Sequence, residues 1–181
     1  MRSIIFLLAL GFFCGAGNES SRVEAQPLTL GFKTISTANR PPAARCRREN
    51  LSAKEGETEA AMGGVRQTPY IFTNISSSPC TLEGYPSVDL LTGKGTVVRR
   101  STKQKSDLAV DAVTLEPGKT AWFNLNYNSG GAGHMGKPCP TYPKIRIVMR
   151  GVGRALVLRS EITSCPGTNF EVTSIQSGLP N

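Results

Sequence analysis

The chain has 181 residues, of which 19% are charged, and its formal net charge is +8 at pH 7. This length accommodates one domain with a sizeable core rather than several domains. No apolar run approaches the roughly 20 residues that a transmembrane helix needs, so we expect no membrane span. The positive charge favours anionic partners through an attraction that salt weakens, or it serves solubility alone.

The first residues have the layout of a secretory signal peptide. Arg2 is followed by an uncharged apolar run and then by small residues. Small residues at the positions that the signal peptidase requires predict cleavage after Ala16 or after Ala25, and we favour Ala25 slightly. We therefore predict a signal peptide over residues 1–25 and a secreted, periplasmic or cell-surface protein.

The chain contains five cysteines, and Cys14 lies in the signal segment. A lipid anchor on Cys14 is the minor alternative, because a lipoprotein signal has a small residue where this chain has Phe13. The other four cysteines are an even number in an exported domain, which predicts two disulfides with three possible connectivities. These four are Cys46, Cys80, Cys139 and Cys165.

The central predicted unit runs from Thr68 to Leu91. Two runs rich in β-branched and aromatic residues flank a turn of Asn, Ser and Pro, a pattern typical of two strands joined by a tight connection. The run from Pro69 to Thr73 is almost wholly apolar, so we expect this strand to be covered on both faces.

Thr120 to Tyr127 is the segment with the clearest alternation. Successive side chains of a strand point to opposite faces, so the more apolar set predicts the core face. That set is Ala121, Phe123, Leu125 and Tyr127, and the opposite set is Trp122, Asn124 and Asn126.

Two later segments alternate in the same way. From residue 144 to 150, Ile145, Ile147 and Met149 alternate with Arg146, Val148 and Arg150. From residue 169 to 175, Phe170, Val172 and Ser174 alternate with Glu171, Thr173 and Ile175. We expect the first set of each segment to face the core.

Turn signals about every ten residues separate seven to nine short strands, and no helix is convincing. This predicts an all-β fold, an antiparallel sandwich or barrel, and excludes a parallel α/β sheet, which needs crossover helices. We place the β domain at residues 45–176. A linker or loosely attached arm precedes it at residues 26–44, and a polar tail follows at residues 177–181.

Strand order favours one pairing of the cysteines. Cys46 precedes the first predicted strand and Cys80 follows the next, so antiparallel pairing of these strands brings both to one end of the sheet. Cys139 and Cys165 bracket a later hairpin in the same way. We favour these two nested pairs, and a bridge between the two sheets remains the alternative.

Several motifs together resemble the domain family of unknown function numbered 4232. They are Asn74 before a Ser-rich turn, Cys80-Thr81-Leu82, Gly84-Tyr85-Pro86, and Leu115, Pro117, Gly118 and Ala121 around the next turn. The resemblance covers Arg45 to Ser174 and implies a secreted or lipid-anchored bacterial protein with an immunoglobulin-like sandwich and no established activity. It implies no catalytic or binding residues. In the family, glycine directly follows the last cysteine, whereas Pro166 follows it here, so we expect a differently shaped last turn.

Candidate chemical groups are few. His134, the only histidine, stands beside Met135, and the pair lacks the further ligands that a copper site requires, so we expect neither a metal nor another cofactor. A small hydrolase using two carboxylates is the weakest alternative. Its candidates are Glu83, Asp89, Glu116 and Glu161, which we interpret as solvated edge charges.

Two surface features predict partners. Trp122 should point away from the core, where it either stacks on a sugar or a partner protein or is covered by the arm at residues 28–35. Arg146, Arg150, Arg154 and Arg159, together with Arg99 and Arg100, either form a basic binding face or serve as a solvated sheet face.

We therefore predict a secreted, non-enzymatic interaction module whose partner is an unknown protein or a cell-envelope polymer, with no specific nucleic acid. The alternative is a module that binds carbohydrate or an anionic envelope polymer through Trp122 and the arginine face.

Overall fold

A computed structural model of the chain describes residues 42–104, 110–130 and 138–180. The predicted signal peptide and almost all of the predicted arm lie outside these residues, as do His134 and Met135. The described residues form thirteen strands: β1 (Leu51–Glu55), β2 (Glu59–Ala60), β3 (Val65–Asn74), β4 (Cys80–Leu82), β5 (Ser87–Leu91), β6 (Val97–Arg100), β7 (Thr102–Lys103), β8 (Val113–Leu115), β9 (Thr120–Asn128), β10 (Thr141–Val148), β11 (Leu156–Thr163), β12 (Phe170–Val172) and β13 (Gln176–Ser177). Short 3-10 turns at Arg48–Asn50 and Met62–Gly64 precede β1 and β3.

The strands build two layers. The large sheet has the order β1-β3-β9-β12-β7, with β2 added to β3 and β13 to β9, and the small sheet has the order β11-β10-β5-β6. A ribbon of β4 and β8 completes the described strands. This confirms the predicted all-β sandwich. One pairing departs from a wholly antiparallel arrangement, because β7 runs parallel to β12. The chain leaves β6 in the small sheet and enters the edge of the large one after Ser101 alone.

The core lies between the inner faces of the two sheets. Phe123 of β9 stacks on Tyr70 and on Phe72 of β3, with ring centroids 5.5 Å and 5.8 Å apart. Ile145 and Ile147 of β10 belong to the same buried cluster from the other side. The alternation predicted for β9 and β10 is therefore confirmed, because the inward set of each strand is buried.

Strand β3 lies in the middle of the large sheet and, as predicted, is buried on both faces from Thr68 to Phe72. Pro69 of β3 has no backbone N–H to donate. It lies opposite the break between β1 and β2, the two strands that pair with this side of β3. The Gly56 N–H donates to the Pro69 carbonyl at 2.8 Å. A Cβ on Gly56 would lie 2.8 Å from Cγ of Pro69, so this close approach requires glycine.

The last predicted strand is shorter than its alternation suggests. β12 ends at Val172, and Thr173 then turns to donate its N–H to Asn124 and accept the Asn124 N–H through its hydroxyl. The assignment of Ile175 to the outer face was wrong: its N–H donates to the Gly84 carbonyl and its side chain is buried. Alternation fails here because the chain leaves the pleat.

Two disulfides join Cys46 to Cys80 and Cys139 to Cys165. These are the nested pairs that the strand order favours, because β1 pairs with β3 and β10 pairs with β11, both antiparallel. The cysteines are 34 and 26 residues apart, so the loop-entropy model assigns each bridge about 3.5–4 kcal/mol of stabilisation.

Asn74 joins three segments at one end of the sandwich. Its buried side-chain amide donates to the carbonyls of Ser78 at 2.8 Å and Leu115 at 2.9 Å, and its Oδ1 accepts from the N–H and hydroxyl of Ser76. Its backbone N–H and carbonyl bond to the turn before β9, at Lys119 and Gly118. The amide therefore holds the Ser-rich turn and the end of β8 against β3.

We expect Asn74→Asp to destabilise the oxidised domain by about 3 kcal/mol, because a carboxylate would place acceptors against two buried carbonyls. Urea denaturation followed by circular dichroism measures the loss. Asn169→Asp, on an exposed residue, is the matched control. Equal midpoints for the two variants would contradict the role assigned to Asn74.

Candidate functional site

An open cleft of about 960 Å³ lies on the outer face of the large sheet. Strands β3 and β9 form its floor, and the chain around β2 and the C-terminal segment form its edges. Its principal lining residues are Glu57, Glu59, Gln67, Pro69, Trp122 and Asn124.

The register of β3 and β9 places these side chains together. Pro69 lies opposite Asn124, and Ile71 lies opposite Trp122, so alternate residues of the two strands share the outer face. Trp122 is half-buried and faces away from the core, as the alternation predicts. The predicted covering arm, residues 28–35, lies outside the described residues.

Asn124 is the most enclosed polar residue of the cleft, with 9% of its surface exposed. Its backbone N–H bonds to the Thr173 hydroxyl and its carbonyl to the Thr173 N–H. Its side-chain amide, by contrast, hydrogen bonds to none of the described residues. No buried side-chain nitrogen or oxygen of the described residues lacks a partner, so this amide reaches solvent and offers donors and an acceptor to a bound molecule.

The charged residues of the cleft have one sign. Glu57 and Glu59 are exposed at its edge, and within the described part of the chain no lysine or arginine lines it. Lys54 lies on the same face of the sheet, opposite Ile71, but outside the cleft lining. The cleft is therefore locally acidic on a chain whose net charge is +8.

The arginines predicted to form one basic face are separated by the fold. Arg146 is on the outer face of the small sheet with Arg100, and Arg159 lies there opposite Lys144. Arg150 and Arg154 lie in the turn after β10 and line two other surface depressions. Because Trp122 is on the outer face of the large sheet, it lies on the opposite side of the sandwich from Arg146.

Arg99 points to the face of the small sheet opposite to that of Arg100, and its contacts are with the protein itself. Its guanidinium donates to the Ser164 hydroxyl and to the carbonyls of Cys165 and Thr168, and it lies 4.9 Å from the Phe170 ring centroid. Burial lowers the pKa of Arg99. The side chain thus ties the edge of the small sheet to the turn that carries Cys165.

Asp89 was wrongly interpreted as a solvated edge charge. It is fully buried on β5, and it accepts hydrogen bonds from Arg100 and Arg146, with shortest distances of 2.6 Å to each. Burial by itself raises the pKa of this carboxyl, but the two guanidinium groups outweigh burial and hold the pKa below its usual value. The row Arg146, Asp89, Arg100 across three strands explains the burial, because the carboxylate is enclosed between two long cations.

The other predicted candidates are dispersed. Glu83 forms an ion pair with Arg45, and Glu161 is exposed on β11. In the described parts of the chain, no group of three or more His, Cys, Asp or Glu residues is placed to hold a metal ion. Over the same residues, no helix has the length and apolarity to cross a bilayer.

Sequence reasoning identified Trp122 but missed the rest of the cleft. Alternation placed Asn124 beside it on the outer face, yet nothing in the pattern shows that Asn124 would be enclosed there. The alternating acidic residues Glu55, Glu57 and Glu59 are a visible signal, although their position over β3 depends on the break between β1 and β2.

The fold and the site define a class: a disulfide-bridged β-sandwich with an aromatic cleft on one sheet face and an ion-paired basic face on the other. The family described as Domain of unknown function (DUF4232) matches residues 46–176, and the chain belongs to this family. No curated protein matches the sequence significantly.

We expect Asp89→Asn to lower the free energy of unfolding by about 2 kcal/mol at pH 7, because two arginines lose their counter-charge while Arg100 stays largely solvated. The pKa of Asp89 is lowered in the folded state, so its contribution is present above about pH 4 and is lost as the pH falls through the lowered pKa. Urea midpoints of wild type and variant should therefore converge at acidic pH.

Glu161→Gln, which removes an exposed carboxylate from the same sheet, is the control and should change the midpoint little at any pH. A stability difference for Asp89→Asn that stays constant from pH 7 to acidic pH would contradict the ion-pair assignment.

Proposed function

We propose that this protein is an exported, non-catalytic interaction module that binds a carbohydrate in the Trp122 cleft. The observation that carries the proposal is that one cleft contains a half-buried indole and the solvent-accessible side-chain amide of the largely buried Asn124, which has no hydrogen bond to a described residue. Export is supported by the signal-like N-terminus and by the two disulfides, which persist in oxidising compartments.

The chemistry of the cleft suits a sugar. A sugar ring presents an apolar C–H face that packs on an aromatic side chain, and its hydroxyl groups both donate and accept hydrogen bonds. The indole of Trp122 and the ring of Pro69 supply apolar surface, and the amides of Asn124 and Gln67 supply donors and acceptors. Polar and apolar residues contribute about equally to the lining, which matches a ligand that has both an apolar face and many hydroxyl groups.

The rigidity of the floor supports the same function. β3 and β9 pair over nine residues, and their inner faces are held by the stack of Tyr70, Phe123 and Phe72. Trp122 and Asn124 are thus presented by paired strands rather than by a loop, so little ordering is needed when a ligand binds.

Affinity electrophoresis in gels that contain soluble cell-wall polysaccharides tests this function. We expect the oxidised domain to be retarded by at least one polysaccharide, and Trp122→Ala to weaken binding at least tenfold because the stacking surface is lost. Trp122→Phe should keep part of the affinity. Urea midpoints of the three proteins control for stability, since Trp122 is half-buried.

If Trp122→Ala is retarded as strongly as the wild type, the polysaccharide binds outside the Trp122 cleft. Absence of retardation across the polysaccharide panel would refute carbohydrate binding in this cleft.

The outer face of the small sheet supports a second candidate function, the binding of an anionic polymer. Four basic side chains lie on this face, namely Arg100, Lys144, Arg146 and Arg159, against two carboxylates, the buried Asp89 and the exposed Glu161. Asp89 orients two of the guanidinium groups and leaves an excess of positive charge, which favours carboxylate or phosphate groups.

Heparin chromatography with a salt gradient tests the second candidate. Lys144→Ala with Arg159→Ala should elute at clearly lower salt than the wild type, because two cations leave the face while the Asp89 ion pairs remain. Lys54→Ala with Lys119→Ala changes the net charge equally on other surfaces and should elute later than the first variant. Equal elution of both variants would show that heparin senses only the net charge.

A further inference from the structure

We propose that the carbohydrate held in the Trp122 cleft carries protonated amino groups, as a polymer of free amino sugars does. This inference rests on the proposed function and specifies the charge of its ligand. The proposed ligand is cationic, whereas the net charge of +8 favours anionic partners. The reason is local, because the charges that line the cleft are the carboxylates of Glu57 and Glu59.

The two carboxylates are available to a ligand. Both are exposed, and neither forms an ion pair or a hydrogen bond with a described residue. The segment that carries them is nevertheless anchored, because the Gly56 N–H bonds to the Pro69 carbonyl at 2.8 Å and the Thr58 hydroxyl lies 2.8 Å from that of Thr68. Glu59 is further placed by the pairing of β2 with β3, opposite Gln67.

The sheet register gives the length of the ligand. Glu59 lies opposite Gln67, Gln67 lies opposite Asn126, and Trp122 is four residues from Asn126 along β9. With strands about 4.8 Å apart and about 3.4 Å per residue, the Cα atoms of Glu59 and Trp122 are roughly 17 Å apart. A single sugar cannot contact both, so we expect the site to hold at least two consecutive units.

The intervening surface is suited to the same ligand. Asn124 and Gln67 lie between the indole and the carboxylates, where their amides would hydrogen bond to hydroxyl groups of the saccharide. A protonated amine is stabilised by a carboxylate through charge-assisted hydrogen bonds and by an indole through a cation–π contact. A polyanion would instead meet two carboxylates without a compensating cation in the lining.

The fluorescence of Trp122 reports binding directly, because Trp122 is the only tryptophan of the chain. The oxidised protein is titrated with three hexasaccharides that share β-1,4-linked glucose-type rings: the glucosamine hexamer, the N-acetylglucosamine hexamer and cellohexaose. We expect the glucosamine hexamer to bind at least tenfold more tightly than the two neutral ones, with an advantage that decreases as salt is added. Monomeric glucosamine should bind at least tenfold more weakly than its hexamer.

Glu57→Gln with Glu59→Gln should abolish the advantage of the charged hexamer while leaving the affinity for neutral hexamers within about twofold. Glu49→Gln with Glu161→Gln removes the same charge from exposed positions outside the cleft and should preserve the advantage. Isothermal titration calorimetry gives the affinities independently of fluorescence.

The outcomes separate the two proposals. Equal binding of all three hexamers, unaffected by the glutamate substitutions, would overturn the inference and leave the proposed function standing. Binding of hexalysine but of no hexasaccharide would overturn both, because the site would then recognise a cationic peptide.

Discussion

The pairing of β3 with β9 is the constraint on which the rest of the structure depends. Phe123 is held between Tyr70 and Phe72 on the inner face, and this stack fixes which residues of both strands point outward. A slip by one residue would bring Trp122 and Asn124 into the core and expose Phe123. The cleft is therefore a consequence of core packing on the opposite face of the same two strands.

Charge is distributed over this domain in a way that its total does not reveal. The small sheet presents arginines around a buried carboxylate, whereas the large sheet presents two carboxylates beside an indole. The two faces point in opposite directions. Local charge, rather than the net value of +8, is therefore the basis of the different ligands proposed for them.

The architecture was largely predictable because alternation and turn residues are local signals. The faces of β9 and β10, the doubly buried β3 and the nested disulfides all follow from the spacing of apolar residues, cysteines and turns. The wrong predictions concern places where the chain departs from a regular strand or where strands distant in the sequence pack together. Ile175 follows a turn that ends alternation, and Asp89 is buried by arginines that are 11 and 57 residues away.

The sequence by itself determined the class of fold and the outward direction of Trp122 and favoured the observed pairs of cysteines, since each depends on strand periodicity or strand order. Only the tertiary structure decided which side chains surround that tryptophan and which arginines are already paired. Enclosure of Asn124, the position of Glu57 and Glu59 over β3, and the separation of Arg146 from Trp122 depend on strand register and on the packing of two sheets. Those long-range relations have no counterpart in the spacing of residues along the chain.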